Sequence, residues 1–339
     1  MSDDNSSDIS GGTEAEEEKK ENLGEQAHEE LQDEGRRRIK GFKTITKIEV
    51  KRFMTYEFDF EKQVFLPRAL DLSNMGLTDI YPLIAHPYLT FLRLSNNRLT
   101  NKDLENLSYL PKLVSLYLDR NEITSTTIPK LEYLQQLSFE GNPISVIEPI
   151  DQPYLQILIL NKTKIKNLQY VGINSTPVLL TLSASHCYLK SMVGDYALTM
   201  RNLYLSYNEI RRIEGLEGLV NLRILHLRSN RISRLSGLTV GLVKLEYVNL
   251  RENELTDPEE LKKIQSLPSL RVLITKDNPL DDEMGSDIRP MILMYSLEIK
   301  RINKELTDDE EVEYARKLIY DLESKDAFSR DDVRFEGEE

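Results

Sequence analysis

One sequence pattern, L-x-x-L-x-L-x-x-N-x-L, recurs ten times between Leu70 and Leu280. The clearest copies read LTFLRLSNNRL, LVSLYLDRNEI and LRILHLRSNRI. The asparagine positions, spaced 21 to 25 residues apart, are Met75, Asn97, Asn121, Asn142, Thr163, Cys187, Asn208, Asn230, Asn253 and Asn278. A unit of this length cannot bury an apolar face by itself, so successive units must stack their leucines on one another.

The pattern predicts an α/β fold, a leucine-rich-repeat solenoid of about ten repeats with a parallel concave sheet and short convex turns. The L-x-L core, as at Leu225-His226-Leu227, alternates like a strand, with leucines inward and the residue between them outward. We expect the asparagine to point inward, where its amide bonds to backbone groups that would otherwise be buried without partners. Longer, helical convex segments are predicted after Asn97 and from Asp257.

The distribution of charge and apolar residues divides the chain into five segments. They are an acidic tail at 1–38, expected to be disordered, an aromatic N-terminal cap at 39–66 with its helix or strand character open, the solenoid at 67–304, a C-terminal capping helix at 305–325 and an acidic tail at 326–339. The helix is predicted from the capping-box sequence Thr307-Asp308-Asp309-Glu310 and from apolar residues at helical spacing after it.

The net charge of −13 belongs to the two ends of the chain. Residues 1–40 carry a net charge of −7 and residues 305–339 carry −9, which leaves about +3 on the middle of the chain. So small a positive charge, without a basic run interleaved with aromatic residues, disfavours nucleic acid as a partner. The sequence holds no apolar run of about twenty residues, and its polar start, MSDDNSSDIS, is unlike a signal peptide. We therefore expect an intracellular protein that does not enter a membrane.

The sequence does not contain a recognisable catalytic or metal-binding constellation. His186-Cys187 resembles a thiol nucleophile beside its base, but Cys187 occupies an inward asparagine position, where a small buried side chain is expected. The four histidines fall in separate segments without metal-ligand spacing, and no phosphate-binding glycine loop is present. We expect a protein without enzymatic activity, cofactor, metal or small-molecule substrate.

The outward positions of the predicted strands carry more apolar and aromatic side chains than a solvated face requires. Aromatic anchors with nearby arginines are typical of the energetic centres of protein interfaces. The candidate partner-binding residues are Phe91, Arg93, Tyr117, Ile157, Ile159, Tyr204, Ile224, Arg228, Tyr247, Arg251 and Ile274. The alternative is that apolar and aromatic residues at these positions merely favour a pleated sheet.

A second candidate surface is a basic rim on the loops that leave two successive strands. Its members are Arg211, Arg212, Arg231 and Arg234. Such a rim suits an acidic partner, or it is a solvated surface neutralised by Glu209 and Glu214.

Several phrases of the sequence resemble the family of leucine-rich repeat-containing protein 23. They are LTDIYPL, YLQQLSFEGNPI, LYLSYNEIRRIEGLEGLVNLRILHLRSNRISRLSGL and KLEYVNLRENELTDPEELKKIQSLPSLRVLITKDNPLDDE. The resemblance implies a non-catalytic scaffold of cilia or flagella that belongs to the third radial spoke and contacts other radial spoke proteins. Thr163, Cys187 and Ala184 depart from the repeat pattern, which leaves partner contacts around them open.

Two other functions are consistent with a solenoid of this kind. One is a regulatory subunit similar to the nuclear leucine-rich-repeat regulator of type 1 protein phosphatase, which binds its enzyme on the inner face. That regulator has nearly uniform repeats, whereas the repeats here vary from 21 to 25 residues. The other is an adaptor associated with dynein or tubulin.

Overall fold

Stacked repeats form one long sheet in which the strands follow one another in chain order. The structure is a computed structural model that describes residues 43–60, 63–172 and 174–335. Within these residues the strands are β1 Met54–Asp59, β2 Val64–Asp71, β3 Phe91–Arg93, β4 Ser115–Tyr117, β5 Gln136–Ser138, β6 Ile157–Ile159, β7 Thr181–Ser183, β8 Asn202–Tyr204, β9 Ile224–His226, β10 Tyr247–Asn249, β11 Val272–Ile274, β12 Arg301–Ile302 and β13 Glu305–Leu306. Neighbours from β2 to β12 are parallel, and an antiparallel pair closes each end. The predicted leucine-rich-repeat solenoid is confirmed.

The apolar core follows from the alternation within each strand. The central residue of a strand is buried against the central residues of its neighbours, as Leu225 is between Leu203 and Val248. The residues on either side of it point to the opposite face of the sheet and are mostly half-buried. Leucines from the rest of each coil complete a core that runs the length of the solenoid.

The inward asparagines join neighbouring coils through their side-chain amides. Asn230 donates from Nδ2 to the carbonyl oxygens of Leu205 in the preceding coil and Leu227 in its own, both at 3.0 Å. Its Oδ1 accepts the N–H of Ile210 at 3.0 Å. Equivalent bonds to the preceding coil are made by Asn97, Asn121, Asn142, Asn208, Asn253 and Asn278. The inward orientation predicted for these asparagines is therefore confirmed.

The residue before each inward position has a left-handed backbone conformation, which the sequence did not predict. These residues, with φ between 51° and 72°, are Asn74, Asn96, Arg120, Gly141, Lys162, His186, Tyr207, Ser229, Glu252 and Asp277. Only one of them is glycine, although this conformation costs other residues roughly 1–2 kcal/mol. The repeated turn explains how each coil ends its strand and brings the asparagine inward at the next residue.

In the two irregular coils, a hydroxyl and a thiol take the place of the asparagine side-chain amide. Thr163 donates its hydroxyl to the Leu160 carbonyl at 2.7 Å, and Cys187 Sγ lies 3.3 Å from the same oxygen. Ala184 is fully buried at its leucine position, and its carbonyl accepts a bond from Asn208 Nδ2 at 2.9 Å. Both coils therefore stay in the sheet, but their inward side chains form fewer cross-coil hydrogen bonds.

Convex segments of the described chain form 3₁₀ helices, including the two segments that the sequence predicted to be longer and helical. They span Tyr81–Ala85, Asp103–Tyr109 and Pro258–Ser266, and the first was not predicted. The Asp257 carboxylate accepts the N–H of Glu259 at 2.9 Å, as expected of an N-cap. A narrow 3₁₀ helix fits because a coil of this length leaves few residues for the convex side.

A helix and a hairpin cover the first end of the solenoid. Helix α1, Lys47–Phe53, precedes the β1–β2 hairpin, and Ile45, Val50 and Met54 are buried in the common core. The segment predicted as an N-terminal cap thus contains both a helix and strands, and β2 runs across its predicted boundary at residue 66. The acidic tail predicted at 1–38 lies outside the described residues.

The second end is more elaborate than the single helix predicted at 305–325. Helices α2 Pro279–Met284 and α3 Ile288–Tyr295 precede the β12–β13 pair, and the last helix, α4, spans Asp309–Phe335. Arg289 on α3 donates from Nε to Glu311 Oε1 at 2.6 Å, which joins the two helices and lowers the pKa of Glu311. The sequence from Asp309 to Phe335 has neither glycine nor proline, so nothing interrupts the helix at residue 325. The predicted tail is therefore helical as far as it is described.

Candidate protein-binding surface

The outward side of β2–β11, called the sheet face below, gathers most of the predicted partner-binding residues. Eight of them are half-buried at the outward positions of their strands: Phe91, Arg93, Tyr117, Ile157, Ile159, Tyr204, Ile224 and Tyr247. Arg228 and Arg251 stand two residues after the ends of β9 and β10. The strand register brings side chains together that lie more than twenty residues apart in the chain.

One aromatic cluster lies near the first end of the sheet face. The rings of Phe91 and Tyr117 are 5.5 Å apart, and the Arg93 guanidinium lies 5.4 Å from the first ring and 4.8 Å from the second. The same guanidinium is 3.6 Å from the Asp71 carboxylate. Cation–π contacts with two rings restrain this arginine, and the aspartate partly balances its charge.

A second aromatic cluster is centred on His226. Its ring lies between Tyr204 at 6.2 Å and Tyr247 at 5.9 Å, measured between ring centroids. Asn249 Nδ2 lies 3.1 Å from Nε2 of the histidine, and Ser206 Oγ lies 2.5 Å from Nδ1. Because the amide nitrogen can only donate, Nε2 is the acceptor and the proton of the neutral ring is on Nδ1. These contacts arrange two tyrosines and a neutral imidazole into one continuous ring surface.

Burial and the nearby Arg228 charge lower the pKa of His226. Because the unfolded chain then binds a proton more strongly than the folded chain, this histidine stabilises the fold fully above its unfolded pKa of about 6.5 and loses that contribution as the pH falls. We expect thermal melts between about pH 7.5 and about pH 5 to show a smaller loss of stability for His226→Gln than for the unsubstituted chain. His86→Gln is expected to act in the same direction, because burial also lowers the pKa of His86, away from the ring cluster. An identical pH dependence of the His226→Gln variant and the unsubstituted chain would contradict this prediction.

Two of the predicted arginines belong to a chain of ion pairs along one edge of the sheet face. Arg228 bonds to Glu252 through Nη2 at 2.6 Å and Nε at 3.2 Å, and it lowers the pKa of that carboxyl. Arg251 contacts both Glu252 at 3.2 Å and Asp277 at 2.6 Å. Two carboxylates therefore balance the charge of these two arginines at this edge.

The structure differs from the predicted surface in one residue that is buried and in ring side chains that were not predicted. Ile274 is only 8% exposed, since β12 and Asn303 lie directly against β11, so it is a poor candidate for partner contact. His226 was not among the predicted partner-binding residues. The stacked pair of His186 and Tyr207, whose rings are 4.1 Å apart, was not predicted either. Aligning these positions across neighbouring repeats would have revealed both groups.

The predicted basic rim lies away from the sheet face. All four members are exposed on the loops that follow the inward asparagines: Arg211, Arg212, Arg231 and Arg234. Within the described residues, they take no part in an ion pair shorter than 4.0 Å. Glu214, one of the two expected partners with Glu209, instead accepts a hydrogen bond from Ser191 Oγ at 2.8 Å. The close ion pairs expected for the alternative of a neutralised rim are therefore not formed among the described residues.

The Cys187 thiol and the placement of possible metal ligands bear on catalysis and metal binding. Cys187 is buried, and burial raises the pKa of its thiol, which disfavours the reactive thiolate. Among the described residues, no three His, Cys, Asp or Glu side chains are placed to bind a metal ion. No helix in the same part of the chain is long and apolar enough to cross a membrane.

Two solved structures share the fold at low sequence identity. The functional domain of InlJ from Listeria monocytogenes aligns with a TM-score of 0.53 and 18% identity, covering 73% of this chain and 56% of that one. TLR13 in its complex with ssRNA13 aligns with a TM-score of 0.57 and 22% identity, covering 70% and 36%. Identities this low show a shared solenoid fold and nothing further.

Comparisons of sequence are more specific. A family model for Leucine Rich repeats (2 copies) matches residues 199–240, and one for Leucine Rich Repeat matches residues 88–110. Leucine-rich repeat-containing protein 23 from Bos taurus is 37% identical over 242 residues, which cover 71% of this chain and 70% of that protein. The protein of the same name from Homo sapiens is also 37% identical over 242 residues, covering 71% and 69%. The chain therefore belongs to the leucine-rich repeat-containing protein 23 family.

Proposed function

We propose that this chain is a structural scaffold of the ciliary or flagellar axoneme, where it joins components of the third radial spoke in its head region. Its membership of the leucine-rich repeat-containing protein 23 family is the observation that carries the proposal. The leucine-rich-repeat fold itself supports a role in protein interaction. Other radial spoke proteins are the partners that the family resemblance implies.

The chemistry of the sheet face supports contact with a folded protein. The two aromatic clusters stand on strands β3–β4 and β8–β10, so about four strand spacings, or roughly 19 Å, separate their nearest edges. Ile157 and Ile159 lie between them as an apolar bridge. Because the face is preformed, a partner buries apolar area against its aromatic anchors without the entropic cost of ordering a flexible loop.

The proposal is tested by isolating axonemes from cells that express the tagged full-length chain and extracting them with salt. We expect the chain to remain with the axoneme and to be released together with radial spoke proteins. A chain found only in the soluble fraction would contradict the scaffold. Recovery with a type 1 phosphatase would favour the regulatory alternative instead.

Replacement of two anchors tests whether the sheet face makes the contact. Tyr204→Ala/Tyr247→Ala is expected to weaken retention, because each lost anchor costs about 1–3 kcal/mol of binding, or roughly 5–150-fold. Tyr109→Ala/Tyr154→Ala is the matched control, since both tyrosines are exposed outside the sheet face. Equal loss of retention in the two variants would show that the sheet face has no special role.

A further inference from the structure

Five exposed basic side chains form a continuous edge over four successive coils. This basic edge consists of Lys166, Lys190, Arg211, Arg212 and Arg234. Each stands three or four residues after an inward position, and the two lysines extend the predicted rim by two coils. Equivalent positions of the second and third coils carry the uncharged residues Thr100, Asn101, Thr124 and Ser125. The positive charge is therefore confined to one part of the edge.

Backbone hydrogen bonds hold these coils directly beside one another. The N–H of Tyr188 donates to the carbonyl of Ile165 at 3.0 Å, and the N–H of Arg231 donates to that of Ile210 at 2.8 Å. Coils about 4.8 Å apart place the five cations along roughly 14 Å. Within the described residues, none of the five forms an ion pair shorter than 4.0 Å. Charges closer than a Debye length repel one another, so an acidic chain bound here relieves the repulsion.

The described part of the chain begins on the same edge of the solenoid. The N–H of Lys43 donates to Thr78 Oγ1 at 2.8 Å, and the N–H of Thr78 donates to the Lys43 carbonyl at 2.9 Å. Thr44 forms a parallel bridge with Asp79. Thr78 and Asp79 stand three and four residues after the inward position Met75. Arg211 and Arg212 occupy the equivalent positions after Asn208. The described part of the chain therefore begins in line with the basic edge.

The segment that precedes this entry point has the opposite charge. Residues 14–34 contain ten Asp or Glu and two Lys, a net charge of −8. Eight residues, 35–42, separate the segment from Lys43 and span up to about 26 Å when extended. The coil of Lys166 is four coils beyond that of Thr78, or about 19 Å along the edge. The acidic segment is therefore long enough to reach the basic edge and to follow it.

We propose that the acidic segment 14–34 binds the basic edge of its own chain. Attachment to the same chain gives the segment a local concentration in the millimolar range, so weak individual ion pairs suffice for occupancy. Binding there leaves the sheet face open to partners.

Carbodiimide cross-linking of the full-length chain tests the proposal, because the reagent joins carboxylates to lysine amines in direct contact. We expect cross-links from residues 14–34 to Lys166 and Lys190 in the monomer, with a yield that does not change on dilution. A yield that falls on dilution, together with cross-linked dimers, would assign the edge to a second copy and overturn the proposal. Cross-links spread evenly over exposed lysines elsewhere would overturn it as well.

A charge variant that retains both reporter lysines sharpens the test. Arg211→Gln/Arg212→Gln/Arg234→Gln is expected to lower the yield at Lys166 and Lys190 by about fivefold. Arg201→Gln/Arg223→Gln/Lys244→Gln is the matched control, because it removes three exposed cations located before β8, β9 and β10. Circular dichroism melts establish that both variants remain folded. An equal loss of yield in both variants would show general attraction to positive charge and would contradict specific binding to the edge.

Discussion

Replacing Leu225 with alanine is expected to lower the free energy of unfolding by about 2–5 kcal/mol. Leu225 is completely buried at the centre of β9, where its register neighbours are Leu203 and Val248. The truncation removes apolar contacts from both adjoining coils and leaves a cavity that the hydrogen-bonded strands cannot close. Urea unfolding followed by circular dichroism measures the loss.

Tyr247→Ala provides the comparison from the opposite side of the same sheet. Tyr247 is half-buried at an outward position of β10, so we expect its truncation to cost about 1 kcal/mol. Equal destabilisation by the two substitutions would mean that the inward and outward sides of the strands have been assigned incorrectly. A much larger effect of Leu225→Ala would agree with a core that lies on the inward side of the strands.

Replacing Asn230 with alanine is expected to destabilise the chain by about 3–5 kcal/mol, although the side chain is small and polar. The amide bonds to the carbonyls of Leu205 and Leu227 and accepts the N–H of Ile210. Alanine leaves these buried backbone groups without the partner that joins two coils, and each buried unsatisfied group costs about 1–3 kcal/mol. Thermal and urea unfolding both report the change.

Cys187→Ala is the matched control for this substitution, because Cys187 occupies the same position two coils earlier. Its thiol is a weak donor, 3.3 Å from the Leu160 carbonyl, so its removal is expected to cost about 1 kcal/mol. Similar losses for Asn230→Ala and Cys187→Ala would indicate that side-chain volume, and not hydrogen bonding, determines stability at the inward position. A loss for Asn230→Ala several times larger would support the hydrogen-bonded ladder.

The period of the repeat was enough to predict the solenoid, its parallel sheet and the inward side of each strand. These features depend on spacing within one repeat, since stacking repeats the same geometry from coil to coil. The inward orientation of Asn230 was predictable for the same reason, because every repeat places its buried backbone groups alike. Thr163 and Cys187 were also recognisable as exceptions from their side chains.

Contacts between particular side chains of different coils were decided only by the tertiary structure. His226 became the centre of a ring cluster because the register sets it between Tyr204 and Tyr247, more than twenty residues away on either side. Arg228 and Arg251, expected as available cations, are balanced by Glu252 and Asp277 for the same reason.

The second end of the solenoid shows the same division between sequence and tertiary structure. Ile274 matches the outward pattern of its strand, yet it is only 8% exposed where β12 extends the sheet beyond β11, and the sequence did not reveal that extra strand. The repeat sequence by itself determined which side of each coil faces the core, because burial there follows a local period. The tertiary structure decided which outward residues meet, pair or become covered, because those contacts depend on the identity of side chains in the neighbouring coil.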